Sequence, residues 1–171
     1  MRGFTILETL ISILIFSVIA IALGLGIVAG KNSLFTSDLP TQLRQNLLFG
    51  IVSMSRELRQ TAPAKTNISS STSSNSISFQ IPHDNNSDGS IVDTLGNIEW
   101  GSSITYVLDG TGQIMRTQNG VSSIITANIS ALQFTRPAGK DNIMQVDISA
   151  AKTNSTGNWQ DSEQAIIKMR N

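Results

Sequence analysis

The stretch "RGFTILETLISILIFSVIAIALGLGIVAG", residues 2–30, decides how this chain is organised. No residue from Thr9 to Gly30 is charged, and a helix of about 20 apolar residues is long enough to cross the hydrocarbon core of a bilayer. One carboxylate, Glu8, stands near the start of the run. An acid inside a membrane costs several kcal/mol unless a cation neutralises it. We therefore predict a membrane helix in which Glu8 needs a positively charged partner.

Three interpretations of this segment are open. A cleaved secretory signal usually has an apolar region of about 7–15 residues; this segment is longer, although Ala20 and Ala22 offer a small-x-small cleavage site. An ordinary signal anchor explains the length but leaves Glu8 as an incidental acid that reaches the lipid headgroups. The third interpretation gives Glu8 a function. Arg2 before the run favours a cytoplasmic N-terminus, although Lys31 on the far side weakens that argument.

The motif "GFTILE" followed by about 20 apolar residues resembles the class III signal of type IV prepilins and of the pseudopilins of type II secretion. The resemblance implies that a prepilin peptidase removes residues 1–3, the leader, by cutting between Gly3 and Phe4. The new amine of Phe4 would be N-methylated and would pair with Glu8 of a neighbouring subunit in a filament. Phe4 and Glu8 are also related by i, i+4, so pairing within one chain stays open. Such a pair about 4 Å apart gains roughly 4 kcal/mol at an effective dielectric constant of 20.

A second helical pattern follows the apolar run. Apolar residues at spacings of three and four predict one buried helix stripe, formed by Leu43, Leu47, Ile51, Met54 and Leu58. Pro40 predicts either a kink or the start of a second helix, of which we favour the kink. Pro63 pushes Ala62 away from helical angles and ends the pattern. We expect residues 4–30 to form the transmembrane and filament-core helix and residues 31–62 its amphipathic continuation.

Residues 63–171 change to a period of two, which predicts a β-rich globular domain. Half-buried strands are expected at "SISFQI", "SITYVL", "QIMRTQ", "VSSIITA", "SALQF" and "MQVDI", with a last edge strand at "AIIKMR". The turns at residues 109–112 and at Asn119-Gly120 predict antiparallel hairpins. The fold class is therefore α+β, a long N-terminal helix packed on an antiparallel sheet, and the resemblance implies the pilin fold. The order of features over residues 76–150 also resembles W-type minor pilins and J-type minor pseudopilins.

The segment "DNNSDG" suggests a calcium loop. Its oxygen-bearing side chains stand at positions 1, 3 and 5 with Gly89 at position 6, as in loops where short ligands converge on Ca²⁺. Leu95 occupies position 12 in place of the usual bidentate Glu, so another residue or a main-chain carbonyl would complete the cage. The candidate ligands are Asp84, Asn86, Asp88 and Asp93. The alternative is a plain Asn/Asp/Gly turn, and no other cofactor is expected.

Composition excludes several other functions. The chain of 171 residues has 12 basic and 12 acidic side chains and no Cys, which rules out disulfides and thiolate sites. The Lys and Arg residues form no basic cluster interleaved with aromatics, so nucleic-acid binding has no support. His83 is the single histidine, and no catalytic triad can be built around it from spacing. We therefore do not expect an enzyme.

Together these features favour a structural minor pilin or pseudopilin, which the resemblance places in the priming or tip complex of a type IV pilus or type II secretion pseudopilus. It implies a bacterial inner-membrane protein with one span and a periplasmic C-terminal domain, later extracted into a periplasmic or cell-surface filament. The implied partners are other pilin subunits, the prepilin peptidase and methylase, the inner-membrane assembly platform and membrane lipid. The alternative is a membrane-anchored periplasmic binding or sensor domain that does not polymerise.

Overall fold

The computed structural model describes residues 5–154 and 157–170. The chain divides into two units between Leu39 and Pro40. Helix α1, Ile6–Leu58, contains residues of both units. The predicted cleavage residues Gly3 and Phe4 lie outside the described part of the chain.

The first part of α1, Ile6–Lys31, is long and apolar enough to cross a membrane, as expected of a membrane anchor or a signal sequence. Its side chains are exposed throughout. The hydroxyls of Thr9, Ser12 and Ser17 donate hydrogen bonds to the carbonyl oxygens four residues before them, at 3.2, 2.8 and 2.7 Å. Because these polar groups are satisfied within the helix, they do not oppose its insertion into lipid.

The second part of α1 buries the predicted stripe. Pro40 lies inside the helix, so no separate second helix begins there. Leu43, Leu47, Met54 and Leu58 are buried and Ile51 is partly buried, which confirms the helical spacing read from the sequence. The helix ends at Leu58, and a short 3-10 turn, Pro63–Lys65, follows.

Within the part of the chain that the structure describes, eight antiparallel strands form two four-stranded sheets, where the sequence predicted a single sheet. The first sheet has the order β1-β6-β7-β8 and the second the order β2-β3-β4-β5. The strands are β1 Ser73–Ser74, β2 Ser76–Phe79, β3 Ile104–Leu108, β4 Gln113–Gln118, β5 Val121–Ala127, β6 Ile129–Thr135, β7 Ile143–Asn154 and β8 Gly157–Lys168. The predicted turn at Asn119-Gly120 joins β4 to β5, with φ of 53° and 77° at its two residues, the geometry of a tight hairpin turn.

A single residue, Asn128, separates β5 of one sheet from β6 of the other. Its φ of 63° lies in the left-handed region, which Asn adopts more readily than most residues. The amide of Ile129 then donates to the carbonyl of Gly112 at 2.9 Å. A Cβ at Gly112 would lie 2.9 Å from the carbonyl oxygen of Ile129, and its φ is +76°, so this crossing requires glycine. The sequence offered no clear signal for a change of sheet after one residue.

Strand β8 is longer than the predicted edge strand at residues 165–170. It pairs with β7 from Ile143↔Lys168 to Asn154↔Gly157. Its first half, "GNWQDS", is mostly polar and exposed, so it lacks the alternation that identifies a half-buried strand. β1 was missed for a similar reason, because it lies in a serine-rich segment that also lacks this alternation.

One hydrophobic core joins the second part of α1 to both sheets. The helix lies close to both sheets at Gly50, where a Cβ would lie 3.1 Å from Cγ2 of Thr126 and 3.2 Å from Cδ1 of Ile148. Two hydrogen bonds fix the helix to β5 beside this point. Asn46 Nδ2 donates to the carbonyl of Ala127 at 3.0 Å, and Thr126 Oγ1 donates to the carbonyl of Asn46 at 3.0 Å.

Candidate functional site

Glu8 lies in the first turn of α1. Its amide donates to Oγ1 of Thr5 at 3.3 Å, so Thr5 caps the helix. The spacing Thr-x-x-Glu is that of a capping box, and an acid in the first turn interacts favourably with the helix dipole. Within the described residues, Glu8 has no ion-pair partner. The Thr5-x-x-Glu8 spacing, visible in the sequence but not used above, thus identifies Thr5 as the residue that begins the helix.

Three of the four candidate calcium ligands share one loop. Asp84 accepts hydrogen bonds from the amides of Asp88 and Gly89 at 3.3 and 2.8 Å. Oδ1 of Asn86 accepts from the amide of Asp88 at 3.0 Å, and Asp88 accepts from the amide of Ser90 at 2.8 Å. The side-chain oxygens therefore face the main chain of their own loop. Hydrogen bonds from its amides already occupy part of the capacity of these oxygens to bind a metal ion.

Glu99 joins this loop from a position that the sequence motif does not include. Its Oε2 accepts from the amide of Asn85 at 2.7 Å, and its Oε1 accepts from Nδ2 of Asn86 at 3.0 Å. The bridge between Val92 and Ile98 folds residues 91–99 into a hairpin that returns Glu99 to the loop. The Gly96-Asn97 turn signal in this segment was the available clue to that return.

Asp93 lies in a separate turn, at the tip of that hairpin. It accepts hydrogen bonds from the amides of Leu95 and Asn97 at 2.9 and 2.8 Å and from Nδ2 of Asn97 at 3.1 Å. Hydrogen bonds from the Asn97 backbone and side chain lower its pKa. Among the described residues, no group of three or more Asp, Glu or His side chains is arranged to hold a metal ion. Calcium binding therefore stays a prediction, with Asp93 outside the main loop.

A polar cluster that the sequence analysis did not predict ties α1 to the second sheet. Both carboxylate oxygens of Glu57 accept from Nε of Arg116, at 3.0 and 3.1 Å, and Nη2 of Arg116 lies 2.9 Å from Oε1. Tyr106 Oη donates to Oε2 of Glu57 at 2.7 Å. Burial and the hydrogen bond to Glu57 raise the pKa of the Tyr106 phenol, and the Glu57 carboxylate raises the pKa of Arg116. The cluster is suited to holding helix and sheet together.

The single histidine and the two tryptophans form local contacts. His83 is exposed, and its Nδ1 lies 2.8 Å from the carbonyl oxygen of Asp84. Trp100 is partly buried, with Nζ of Lys65 lying 5.4 Å from its ring centroid. Trp159 is partly buried against the hydrophobic core. These positions fit packing roles for both tryptophans.

Comparison of the chain with family models, with curated proteins and with solved structures found no match. The structure shows the general architecture of the described residues. An apolar N-terminal helix able to span a membrane continues into an amphipathic part, and two antiparallel sheets cover that part.

Proposed function

We propose that this chain is a structural, non-enzymatic subunit of the pilin class, processed between Gly3 and Phe4 and assembled into a filament through Glu8. The observation that carries the proposal is the position of Glu8. This acid lies in the first turn of α1, in the apolar part Ile6–Lys31 whose side chains are exposed, and it has no cationic partner within the described residues. A cation supplied by a processed N-terminus would neutralise it.

The exposure of the apolar part of α1 supports the same proposal. The described large apolar side chains of Ile6–Lys31 are at least half exposed, so this chain alone does not bury them. Lipid covers such a surface in a membrane, and the helices of neighbouring subunits would cover it in a filament. A polymer that leaves the membrane needs a helix that suits both surroundings.

The architecture of residues 40–170 also supports the proposal. The amphipathic part of α1 packs its stripe against antiparallel strands in one core. The pilin resemblance implies such a helix packed on an antiparallel sheet, although here the strands divide into two sheets. We propose the pilin fold, a periplasmic location for this part of the chain and a minor role in a priming or tip complex. The proposed partners are other pilin subunits, the peptidase and methylase, and the assembly platform of the inner membrane.

The state of the N-terminus tests the proposal. Intact-mass analysis and N-terminal sequencing of the membrane-bound protein should show loss of residues 1–3 and one added methyl group on Phe4. Gly3→Leu should block this processing. Gly24→Leu, at a helical glycine with nothing within 4 Å of its Cβ position, is the matched control and should be processed normally.

Two outcomes would contradict the proposal. A mature protein that retains Met1 would be an ordinary membrane anchor, whereas cleavage near Ala20 or Ala22 would identify a secretory signal. Either result would favour the alternative of a periplasmic binding or sensor domain that acts without polymerising.

A further inference from the structure

A groove runs between α1 and the edge strand β8. It has a volume of about 510 Å³, and Val52 and Ile166 on its two sides are 56% and 68% exposed. Its lining residues are Ile51, Val52, Ser55, Arg56, Arg59, Ala165 and Ile166. An apolar groove of this kind on a polar surface is typical of an interaction site.

The charges around this groove are mostly positive. Arg56 and Arg59 are the charged residues of its lining, and both are exposed. Neither forms an ion pair within the described part of the chain. Lys168 follows Ile166 by two residues on β8, so it stands on the same face of the strand. Glu163 stands two residues before Ala165 on the other face of the strand. With one acid against Arg56, Arg59 and Lys168, the groove combines an apolar floor with an excess of positive charge.

The hairpin of residues 91–99, with the loop before it, has the complementary character. Leu95 at its tip is 84% exposed, and Ile91 and Val92 are 39% and 38% exposed. The acids of residues 84–99 are Asp84, Asp88, Asp93 and Glu99, and this segment contains no Lys or Arg. The described hydrogen bonds of these acids come from amides and from Asn side chains, so their negative charges are not neutralised.

The hairpin holds its tip in a defined conformation. The amide of Leu95 donates to Oδ1 of Asp93 at 2.9 Å, and the amide of Asp93 donates to the carbonyl of Asn97 at 2.8 Å. At the base, the amide of Glu99 donates to the carbonyl of Ile91 at 2.9 Å. A segment whose main chain is already fixed in place loses less entropy when it binds than a mobile loop does.

We infer that the acidic segment of residues 84–99, which is the loop and the hairpin with Leu95 at its tip, docks into the α1–β8 groove of a second copy of this chain. No residue of the hairpin lines the groove of its own chain, so the contact joins two molecules. Opposite charges bring the surfaces together, and burial of Leu95 against Val52 and Ile166 supplies the apolar contact.

The two surfaces of this contact are different, so each copy keeps one hairpin and one groove for further neighbours. Such a head-to-tail contact gives a ring or an open helical assembly. The inference deepens the proposed function and rests on it for its biological use, but it involves only residues 40–170. Its test is therefore separable from the test of the N-terminus.

Site-directed crosslinking of the full chain in detergent tests this contact, because the native sequence has no Cys. The Leu95→Cys, Ile166→Cys double variant should form covalent dimers and larger species with a short bismaleimide. Leu95→Cys, Val121→Cys is the matched control, since Val121 is 71% exposed but lies on β5, and it should crosslink poorly.

Charge reversal and salt supply a second measurement on the crosslinking pair. Arg56→Glu with Arg59→Glu should lower the yield about tenfold, a change equivalent to about 1.4 kcal/mol. Arg44→Glu, on the same helix but outside the groove lining, should leave it unchanged. Raising the NaCl concentration should lower the crosslinking yield of the double-cysteine variant that retains Arg56 and Arg59. Thermal unfolding of each variant checks that the fold is retained.

The outcomes separate this inference from the proposed function. Absence of chain-to-chain crosslinks in a correctly processed protein would overturn the contact alone. Crosslinks in a protein that retains Met1 would support the contact and overturn the pilin proposal. If the crosslinked adducts formed in cells join this chain only to a different protein, the second copy is overturned as the occupant of the groove.

Discussion

The two parts of α1 are equally helical but use their apolar residues differently. In Ile6–Lys31 the apolar side chains point in all directions and stay exposed within the chain, whereas between residues 40 and 58 they form a stripe that the sheets bury. A helix that is apolar all round needs lipid or other helices as its surroundings, while a striped helix finds its partner in its own chain. The same secondary structure thus serves contacts outside the chain in one part and inside it in the other.

The largest expected effect on the difference between the two parts comes from removing Glu8, the acid of the first part. Glu8→Val should still insert in the membrane, because an apolar residue replaces a charge, but it should not enter filaments. The measurement is the fraction of subunit recovered in sheared filaments or in crosslinked assemblies. Thr9→Val is the matched control, since it removes a side-chain hydrogen bond that stays within the helix. Normal assembly of Glu8→Val would exclude the proposed charge pairing.

Adjacent leucines test the second part of the helix. Leu47 is fully buried and Leu48 is 43% exposed. Leu47→Ala should lower the free energy of unfolding by about 2–5 kcal/mol through the lost contacts and the cavity. Leu48→Ala should change it by about 0.5 kcal/mol or less. Chemical denaturation of both variants in detergent measures the difference, and equal effects would mean that the stripe does not face the core.

Mutation of Glu57 tests how strongly its cluster holds the second part of α1 to the second sheet. Glu57→Gln should lower the free energy of unfolding by about 1–3 kcal/mol, since Arg116 and Tyr106 lose a charged acceptor in a partly buried site. A double-mutant cycle with Arg116→Gln should give a coupling energy of about 1 kcal/mol. A coupling near zero would show that the two side chains do not interact in solution.

The loop at residues 84–90 is held mainly by hydrogen bonds, in contrast to both parts of α1. If it binds Ca²⁺, a concentration of 100 times Kd should add about 2.7 kcal/mol to the free energy of unfolding. Asp84→Ala and Asp88→Ala should abolish this gain, while Asp93→Asn should retain it because Asp93 lies in a separate turn. The measurement is the thermal unfolding temperature with Ca²⁺ and with EGTA. An equal unfolding temperature in both would mean that the loop is a plain turn without calcium.

The smallest effect concerns the β3–β4 turn. A hydrogen bond from the Gln113 amide, supported by Thr111, lowers the pKa of Asp109 below 3.8. A lowered pKa in the folded state stabilises the fold above the unfolded pKa, and this contribution disappears as the pH falls below about 3.8. Asp109→Asn should therefore flatten the acid dependence of unfolding in this range. An unchanged pH profile would contradict the prediction.

The sequence predicts those parts of the fold in which one physical signal dominates. The stripe from Leu43 to Leu58 and the hairpin turn at Asn119-Gly120 were predicted correctly, because burial spacing and positive φ impose strict residue requirements. The division into two sheets was missed, since it depends on one Asn between two β-forming segments. Long-range pairing, such as Glu57 with Arg116 or Glu99 with Asn86, was missed because its partners are distant in sequence.

The cluster around Glu57 has a consequence for the outer surface of α1. Glu57 bonds to Tyr106 on β3 and to Arg116 on β4 at the same time, so the helix cannot roll about its long axis without breaking both contacts. Phe49 and Val52, exposed on the same helix, are thereby kept facing outward. Together with the buried stripe and the hydrogen bonds at Asn46, an intramolecular ion pair thus helps to fix which residues the helix offers to another molecule.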